Sequence, residues 1–308
     1  MKIGVKLLAY GCMLACVCSS DGLEKKISFK KKIIACKSTH STRKVQPVKY
    51  SDDYITVWIH GVSLFRSNGY NLGLWPAHTF IEDKSMFGIG KDLVDSDPIR
   101  FPADKVIMYS WAGKFNYDEC EKAAAQLYEA LVKTIKEFID HNKARPKIRI
   151  ITFSYGGNIV FNLPKFKDPC NALMIDELIV LAWPAQQRLM PMVHDPMFKK
   201  VFNIYSPLDF VQIFDPQCFF ERQGKAPLFT SRRLKKAANI LQAKIHINGR
   251  GCGHFGLNNR PFVSMFPLVL DTLNDWFSYS QEHNLGLKKT RYMLSIYTDK
   301  RKAHKHKI

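Results

Sequence analysis

Short runs of apolar and β-branched residues alternate along this chain with stretches of helical periodicity. Six of these runs predict buried strands; they lie at residues 54–59, 105–110, 147–153, 177–182, 200–205 and 243–248. The segments between them predict helices at residues 117–142, 158–163 and 266–277. Strands that alternate with helices favour a mostly parallel sheet with helices on both faces, and strands covered on both faces are apolar throughout. The pattern therefore predicts a doubly wound α/β domain.

Two connections in this pattern are long and carry many aromatic residues. Residues 62–104 include Phe65 and Trp75, and residues 214–242 include Phe219. Connections of this length are often functional, and their aromatic side chains suit either a lid beside a pocket or ordinary packing on the core. The sequence leaves both interpretations open.

The net charge of +19 is concentrated outside the body of the chain. Residues 25–49 hold nine Lys or Arg and no acidic residue, and residues 288–308 hold eight with one acidic residue. Residues 50–287 carry a net charge of only +3, and 46% of the 308 residues are hydrophobic, which excludes wholesale disorder. We therefore predict a basic linker at 21–49, a folded domain at 50–287 and a basic tail at 288–308.

Basic segments of this kind attract phosphate-rich surfaces, and we expect an anionic membrane surface as their partner. The alternative is that they are solvated ends without a partner. Nucleic acid is not expected, because the segments lack the interleaved aromatic residues of a single-strand binding groove and the chain carries no nucleic-acid motif.

The first twenty residues have the pattern of a targeting segment. Lys2 and Lys6 precede an apolar run at 7–17, and polar residues follow, as in a secretory signal. Residues 13–16 also resemble a lipoprotein signal, in which Cys16 would carry the lipid. Residues 1–20 therefore predict export, to a periplasm, to the medium or to a lipid anchor; an uncleaved anchor or a misplaced start is the alternative.

Five cysteines lie beyond this segment, and none is part of a C-x-x-C pair, so no metal site is predicted. They are Cys36, Cys120, Cys170, Cys218 and Cys252. An odd number leaves at least one thiol unpaired in an exported monomer.

Ser154 occupies the point where the strand at 147–153 runs into small residues and then a helix. The stretch from Thr152 to Gly157 resembles the nucleophile elbow of the α/β-hydrolase family, in which a sharp turn requires small neighbours. Thr152 stands where the usual motif has glycine, as in some lipases of that family. The resemblance implies that Ser154 is the nucleophile of such an enzyme.

A second resemblance lies at His60-Gly61, directly after the first predicted strand. In the family, the loop at this position supplies backbone N–H groups to the negative oxygen that forms during acyl transfer. The resemblance implies that the donors are the amides of Tyr155 and of Val62 or Ser63. For His60 itself we expect a structural role.

Two further family positions follow later strands. Asp209 comes after the strand at 200–205 in a strand-S-x-x-D-x-V pattern, and His254 lies in a glycine-rich loop after the last strand. The resemblance implies that Asp209 is the acid and His254 the base, in the family order of nucleophile, acid and base. Asp215 is the main competitor for the acid, and Asp195 is a poorer third.

Together, these motifs predict a serine hydrolase that cleaves a carboxylic ester, of the lipase or carboxylesterase kind. Such chemistry needs neither a metal nor an organic cofactor. An acyltransferase or thioesterase would use the same three residues, and a non-catalytic member of the fold would bind a lipid or a partner. Two minor alternatives are Cys252 as the nucleophile and a binding protein in which the basic segments are the functional part.

Overall fold

The computed structural model describes most of the predicted domain and parts of the basic segments. The described residues are 31–35, 54–62, 72–77, 88–114, 116–142, 144–168, 173–213, 234–283 and 291–298. The predicted signal at 1–20 with Cys16, the oxyanion candidate Ser63 and the alternative acid Asp215 all lie outside them. Most of the aromatic connection at 214–242 does so as well.

The described strands form one mixed sheet of nine strands, in the order β1-β9-β8-β7-β6-β5-β2-β4-β3. The strands are β1 (Lys31–Ala35), β2 (Tyr54–Ile59), β3 (Gly73–Pro76), β4 (Val106–Ser110), β5 (Lys147–Phe153), β6 (Glu177–Leu181), β7 (Val201–Tyr205), β8 (Ile240–Ile247) and β9 (Arg291–Thr298). The seven inner strands run parallel to one another, and the edge strands β1 and β3 run antiparallel to their neighbours.

Helices cover both faces of this sheet. They are α1 (Gly88–Ser96), α2 (Tyr117–Asn142), α3 (Gly156–Val160), α4 (Phe210–Ile213) and α5 (Arg260–Glu282). The buried stripe of α2 joins one hydrophobic core, while α1 and the buried stripe of α5 join a second core on the opposite face. The predicted doubly wound α/β class is therefore confirmed. Within the described residues, no helix combines the length and apolar character needed to cross a membrane.

The central strands match the prediction because they are buried on both faces. β5 and β6 are buried along almost their whole length, and each has apolar residues at four positions. The long helix at 117–142 also agrees with its prediction, whereas α5 extends beyond the predicted 266–277 in both directions. The long connection at 62–104 contains β3 and α1; β3 was missed because it is a four-residue edge strand that includes Gly and Pro.

The predicted basic linker and basic tail each contain a strand, so the domain boundary at 287 is wrong. Within 288–308, β9 pairs in parallel with β8, and its Leu294 and Ile296 are 0% and 2% exposed in the second core. Within 21–49, β1 pairs with β9. The prediction of a polar tail rested on the many Lys and Arg residues around β9, and it overlooked the apolar residues Leu294 and Ile296 within the strand.

We expect Leu294→Ala to destabilise the whole domain, because it leaves a cavity in the second core. The free energy of unfolding should fall by about 2–5 kcal/mol, and thermal unfolding should begin several degrees lower. Met293, which is 37% exposed on the same strand, provides the matched control. Met293→Ala should change stability by less than about 0.5 kcal/mol. Equal melting temperatures for the two variants would show that β9 does not belong to the folded domain.

Candidate active site

Parallel strands bring three of the residues predicted from the sequence to one edge of the sheet. Ser154 directly follows β5, Asp209 follows β7, and His254 follows β8. Because these strands are parallel, their carboxyl ends lie on the same side, which is where open α/β sheets bind ligands.

The three side chains form a continuous chain of hydrogen bonds. The Ser154 Oγ lies 2.9 Å from Nε2 of His254, and Nδ1 of His254 lies 2.9 Å from each carboxylate oxygen of Asp209. An ionised carboxylate only accepts hydrogen bonds, so Nδ1–H donates to Asp209 and Nε2 accepts from the serine hydroxyl. Ser154 and His254 are each 5% exposed and Asp209 is fully buried. The structure thus brings the predicted side chains together, while their catalytic roles stay a prediction.

Ser154 has the backbone conformation of a strained turn. Its φ of 53° lies in the left-handed region, which residues other than glycine seldom occupy. The turn is held on both sides, since the amide of Ser154 donates to Leu181 O at 2.8 Å and its carbonyl accepts from the amide of Gly157 at 3.0 Å. Such strain is typical of a nucleophile elbow, because the turn projects the hydroxyl away from the sheet.

Two glycines allow the chain to make this turn. A Cβ on Gly156 would lie 2.7 Å from the carbonyl oxygen of Ile59, which is rigid backbone of the neighbouring strand β2. A Cβ on Gly157 would lie 2.5 Å from the indole of Trp183, which follows β6. The elbow is therefore wedged between β2 and β6, with no room for any side chain at either position.

The loop after β2 passes directly beside the serine. A Cβ on Gly61 would lie 2.8 Å from Cβ of Ser154, so the backbone of this loop contacts the elbow itself. Val62 comes next and is half-buried, and Tyr155 follows the serine in the chain. These positions suit backbone donors to an oxyanion, but the roles of Tyr155 and Val62 stay predictions, and Ser63 lies outside the described residues.

His60 is held by the neighbouring strand, as its expected structural role requires. Its Nδ1 lies 2.6 Å from Gly61 O, and its Nε2 accepts from the amide of Trp111 at 3.4 Å. The indole of Trp111 donates to His60 O at 2.9 Å and stacks on the imidazole. His60 therefore fixes the start of the loop that passes the serine.

Ser206 connects the loop of the acid to the loop of the base, and sequence analysis did not single it out. Its buried hydroxyl donates to the carbonyl of Cys252 at 2.5 Å and accepts from the amide of Leu208 at 3.3 Å. Leu208 immediately precedes Asp209, and Cys252 lies two residues before His254. The serine of the S-x-x-D pattern was the available signal. Its partner, the carbonyl of Cys252 in the loop after the neighbouring strand β8, could not be predicted from the sequence.

Two aromatic rings enclose the imidazole of His254. The ring of Phe153, on β5, lies 4.9 Å from it between centroids, and the ring of Phe255 lies 5.3 Å away at nearly a right angle. Phe153 is buried, whereas Phe255 is 39% exposed. The imidazole of His254 therefore packs against the buried ring of Phe153 on one side, and the partly exposed ring of Phe255 covers another side.

Among the described residues, Asp195 and Cys252 are the alternatives for the acid and the nucleophile, and no contact supports either; Asp215 lies outside the described residues. Asp195 forms an ion pair with Lys167 and accepts from the amide of Met197, away from the imidazole. The thiol of Cys252 is half-buried, and burial raises its pKa, which disfavours the reactive thiolate. Among the described residues, no cluster of His, Cys, Asp or Glu side chains is arranged to bind a metal ion.

The sheet and the position of these residues define the fold class. Strands β4, β2, β5, β6, β7 and β8 lie side by side in this order and run parallel, and serine, aspartate and histidine follow the third, fifth and sixth of them. This chain has the α/β-hydrolase fold.

Comparison with known proteins gives solved structures of low sequence identity. No protein-family model matches the sequence, and no curated protein matches it. A lipase of Bacillus licheniformis in its mature form is 11% identical over 74% of this chain and 96% of its own, with a TM-score of 0.40. An esterase of Pyrococcus furiosus is 13% identical over 84% of this chain and 96% of its own, also with a TM-score of 0.40.

Acyl-protein thioesterase 2 of Zea mays is 11% identical, covers 82% of this chain and 100% of its own, and has a TM-score of 0.33. At these values the similarity carries no argument about activity. The fold is instead established by the strand order and the connections of this chain.

We expect Gly156→Ala to destabilise the protein, because the new methyl group would collide with the carbonyl oxygen of Ile59. Overpacking of this kind costs about 1–3 kcal/mol, and thermal unfolding measures it. Gly253→Ala is the matched control: Gly253 has an ordinary φ of −67°, and a Cβ there would contact nothing within 4 Å. A Gly156→Ala variant as stable as this control would contradict the tight elbow.

Proposed function

We propose that this protein is a serine hydrolase that cleaves carboxylic esters, as a lipase or carboxylesterase does. The observation that carries the proposal is the buried chain of hydrogen bonds from Ser154 through His254 to Asp209. Three residues from distant parts of the sequence meet in this geometry, and the serine sits on a strained turn. A nucleophile, an adjacent base and a group that orients the base are the parts that acyl transfer requires.

In the proposed mechanism, Ser154 Oγ attacks the ester carbonyl while Nε2 of His254 takes its proton. The carbonyl π electrons move onto oxygen, and backbone amides of Tyr155 and the loop after Gly61 stabilise this negative charge. The imidazolium then protonates the alkoxide as the tetrahedral intermediate collapses, which releases the alcohol and leaves an acyl-serine. Water, deprotonated by the same imidazole, then attacks the acyl carbon. The bond from this carbon to Ser154 Oγ breaks, the imidazolium returns its proton to Oγ, and the carboxylic acid leaves.

The burial of Asp209 explains its part in this mechanism. Its carboxylate has no exposed surface, and both oxygens contact Nδ1 of His254. A buried carboxylate in this position holds the imidazole in the tautomer whose Nε2 can accept a proton. It also stabilises the imidazolium that forms during each step.

A fluorophosphonate probe tests the nucleophile directly, because it forms a covalent bond only with an activated serine. The full chain should be labelled, and Ser154→Ala should lose both the label and about 10⁶-fold in kcat on a soluble ester. His254→Ala should show a similar loss. Asp209→Asn should keep its melting temperature and lose about 10⁴-fold.

Matched controls separate the serine from other nucleophiles. Ser264, a half-buried serine on α5 whose hydroxyl donates to Pro261 O, provides one control, and Ser264→Ala should leave labelling unchanged. Cys252→Ala should also retain the label, since the thiol has no part in the proposed chemistry. Esterase activity that survives Ser154→Ala would refute the proposal. Transfer of the acyl group to an added alcohol or thiol faster than to water would instead identify a transferase.

Ser206 should act as a positioning residue for both loops of the site. Without its hydroxyl, the carbonyl of Cys252 and the amide of Leu208 lose their shared partner, and His254 loses its fixed distance to the serine. We expect Ser206→Ala to lower kcat by about 10–100-fold, since small misplacements have effects of this size, with KM little changed. Steady-state kinetics on a soluble ester measures both. An unchanged kcat, or a loss confined to KM, would contradict this role.

A further inference from the structure

The helix that follows Ser154 is too short to be stable by itself. α3 spans only Gly156–Val160, whereas isolated helices shorter than about 12–15 residues are marginal in water. Its first two residues are glycines, which carry no side chain and allow the backbone the most freedom. Contacts from neighbouring elements must therefore hold this helix, and with it the turn at Ser154.

Asn158, the first residue of α3 after the glycines, makes such a contact with its side chain. Its Oδ1 accepts a hydrogen bond from the indole Nε1 of Trp183 at 2.7 Å. Asn158 has no exposed surface and Trp183 is 2% exposed, so water does not compete for this bond. Because an indole N–H only donates, the amide oxygen of Asn158, and not its nitrogen, faces the ring.

A buried amide is expensive in an otherwise apolar core, so its presence here requires a reason. Asn158 lies among the apolar residues of the first core, where leucine would pack without any loss of hydration. What asparagine adds is a directional bond, and buried polar contacts of this kind specify one arrangement of their elements. Among the described residues, no group accepts a hydrogen bond from Asn158 Nδ2, so the bond to Trp183 is the contribution of its amide group.

Trp183 also packs against the helix and is itself fixed to the sheet. A Cβ on Gly157 would lie 2.5 Å from Cδ1 of the indole, and the ring of Phe161 lies 4.4 Å from the indole between centroids. The preceding residue, Ala182, ends β6 in a second left-handed turn with a φ of 52°, and its amide donates to Ile204 O on β7. The indole therefore connects α3 to the end of β6.

A second hydrogen bond connects the same asparagine to helix α2. Nδ2 of Asn162 donates to the carbonyl of Asn158 at 2.8 Å, and its Oδ1 accepts from the hydroxyl of Tyr117 at 2.8 Å. Tyr117 is the first residue of α2, and Asn162 is fully buried. Asn158 is thus held by its side chain from β6 and by its carbonyl from α2.

We propose that Asn158 and Trp183 are positioning residues for Ser154. Their hydrogen bond holds α3 in the orientation that directs the serine hydroxyl toward His254. The effect reaches the serine through the backbone, because the amide of Gly157 donates to Ser154 O at 3.0 Å. For catalysis, this role rests on the function proposed above; the effect on the conformation of the elbow does not.

Hydrogen exchange of the full chain tests the conformational effect without any need for turnover. Asn158→Leu is the informative variant, because leucine has a similar shape and no acceptor, and the indole N–H then stays buried without a partner. We expect the amides at 154–158 to exchange about 10–100-fold faster, since an unmade buried hydrogen bond has a cost of this size. Mass spectrometry of the peptide that contains them measures the rate. Amides at 268–273 of α5, on the opposite face of the sheet, should keep their original protection.

The kinetic effect should appear in kcat rather than in KM. Asn158→Leu should lower kcat on a soluble ester by about 10–100-fold, since small displacements of a nucleophile have effects of this size, and KM should change little. Labelling of Ser154 by a fluorophosphonate should slow to the same extent. Asn158→Asp keeps an oxygen that can accept from the indole and should recover most of the lost kcat.

A double-variant comparison tests whether the two residues act through one bond. Trp183→Phe removes the donor and provides a second approach if Asn158→Leu does not fold. Once the indole N–H is gone, Asn158→Leu has no bond left to break. It should therefore lower kcat much less in the Trp183→Phe protein than in the original chain. Equal losses in the two backgrounds would show that the residues act separately.

Tyr109→Phe is the matched control for the loss of a buried hydrogen bond. Tyr109 belongs to the same core, is 1% exposed, and donates its hydroxyl to Ala123 O at 2.7 Å. The control should lower the melting temperature to a similar extent as Asn158→Leu. It should leave both kcat and the exchange of amides 154–158 unchanged.

Three outcomes would overturn the positioning role. They are unchanged exchange of amides 154–158 in Asn158→Leu, unchanged kcat in that variant, and an equal loss of kcat in Tyr109→Phe, which would show that any weakening of this core impairs the site. Failure of the proposed function has a different signature, because the original chain itself would then take up no fluorophosphonate. In that case the exchange measurement alone decides whether Asn158 and Trp183 hold the elbow.

Discussion

The close approach of three backbone segments at the elbow is the constraint on which the candidate site depends. Gly156 touches the end of β2, Gly157 touches Trp183, and Gly61 touches Ser154 itself. Contacts this tight fix the serine in a left-handed conformation that it would not adopt in a free chain. The strain is maintained because the surrounding sheet is buried and cannot relax.

The parallel sheet brings Asp209 and His254 to the elbow, and the hydroxyl of Ser206 aligns the loops that carry them. Parallel strands place the ends of β7 and β8 beside the elbow, but the loops that follow each strand could take many courses. Ser206 restricts them, since a single buried oxygen bonds to both. Phe153 and Phe255 then leave the imidazole of His254 one orientation. The geometry of the site therefore depends on residues that would never contact a substrate.

Strands and turns were predicted correctly from the sequence where neighbouring residues, or burial on both faces, determine the structure. β5 and β6 are rich in β-branched and other apolar residues because both of their faces are covered, and the small residues around Ser154 mark a sharp turn. Prediction failed where the environment is set by distant partners. β9 becomes a strand because β8 and β1 lie beside it, and the role of Ser206 requires Cys252, which is remote in sequence.

The pairing of β1 with β9 also has a consequence for how the protein folds. A ribosome releases residues 31–35 long before residues 291–298, so β1 has no partner until nearly all of the described chain has been synthesised. Contacts between distant parts of a chain form slowly, because closing the long loop between them costs conformational entropy before the contacts stabilise it. Until then β8, whose following loop carries His254, is the exposed edge of an unfinished sheet. Folding intermediates of this protein would therefore be open to strand-to-strand aggregation at that edge, and pairing with β9 covers the backbone groups of β8.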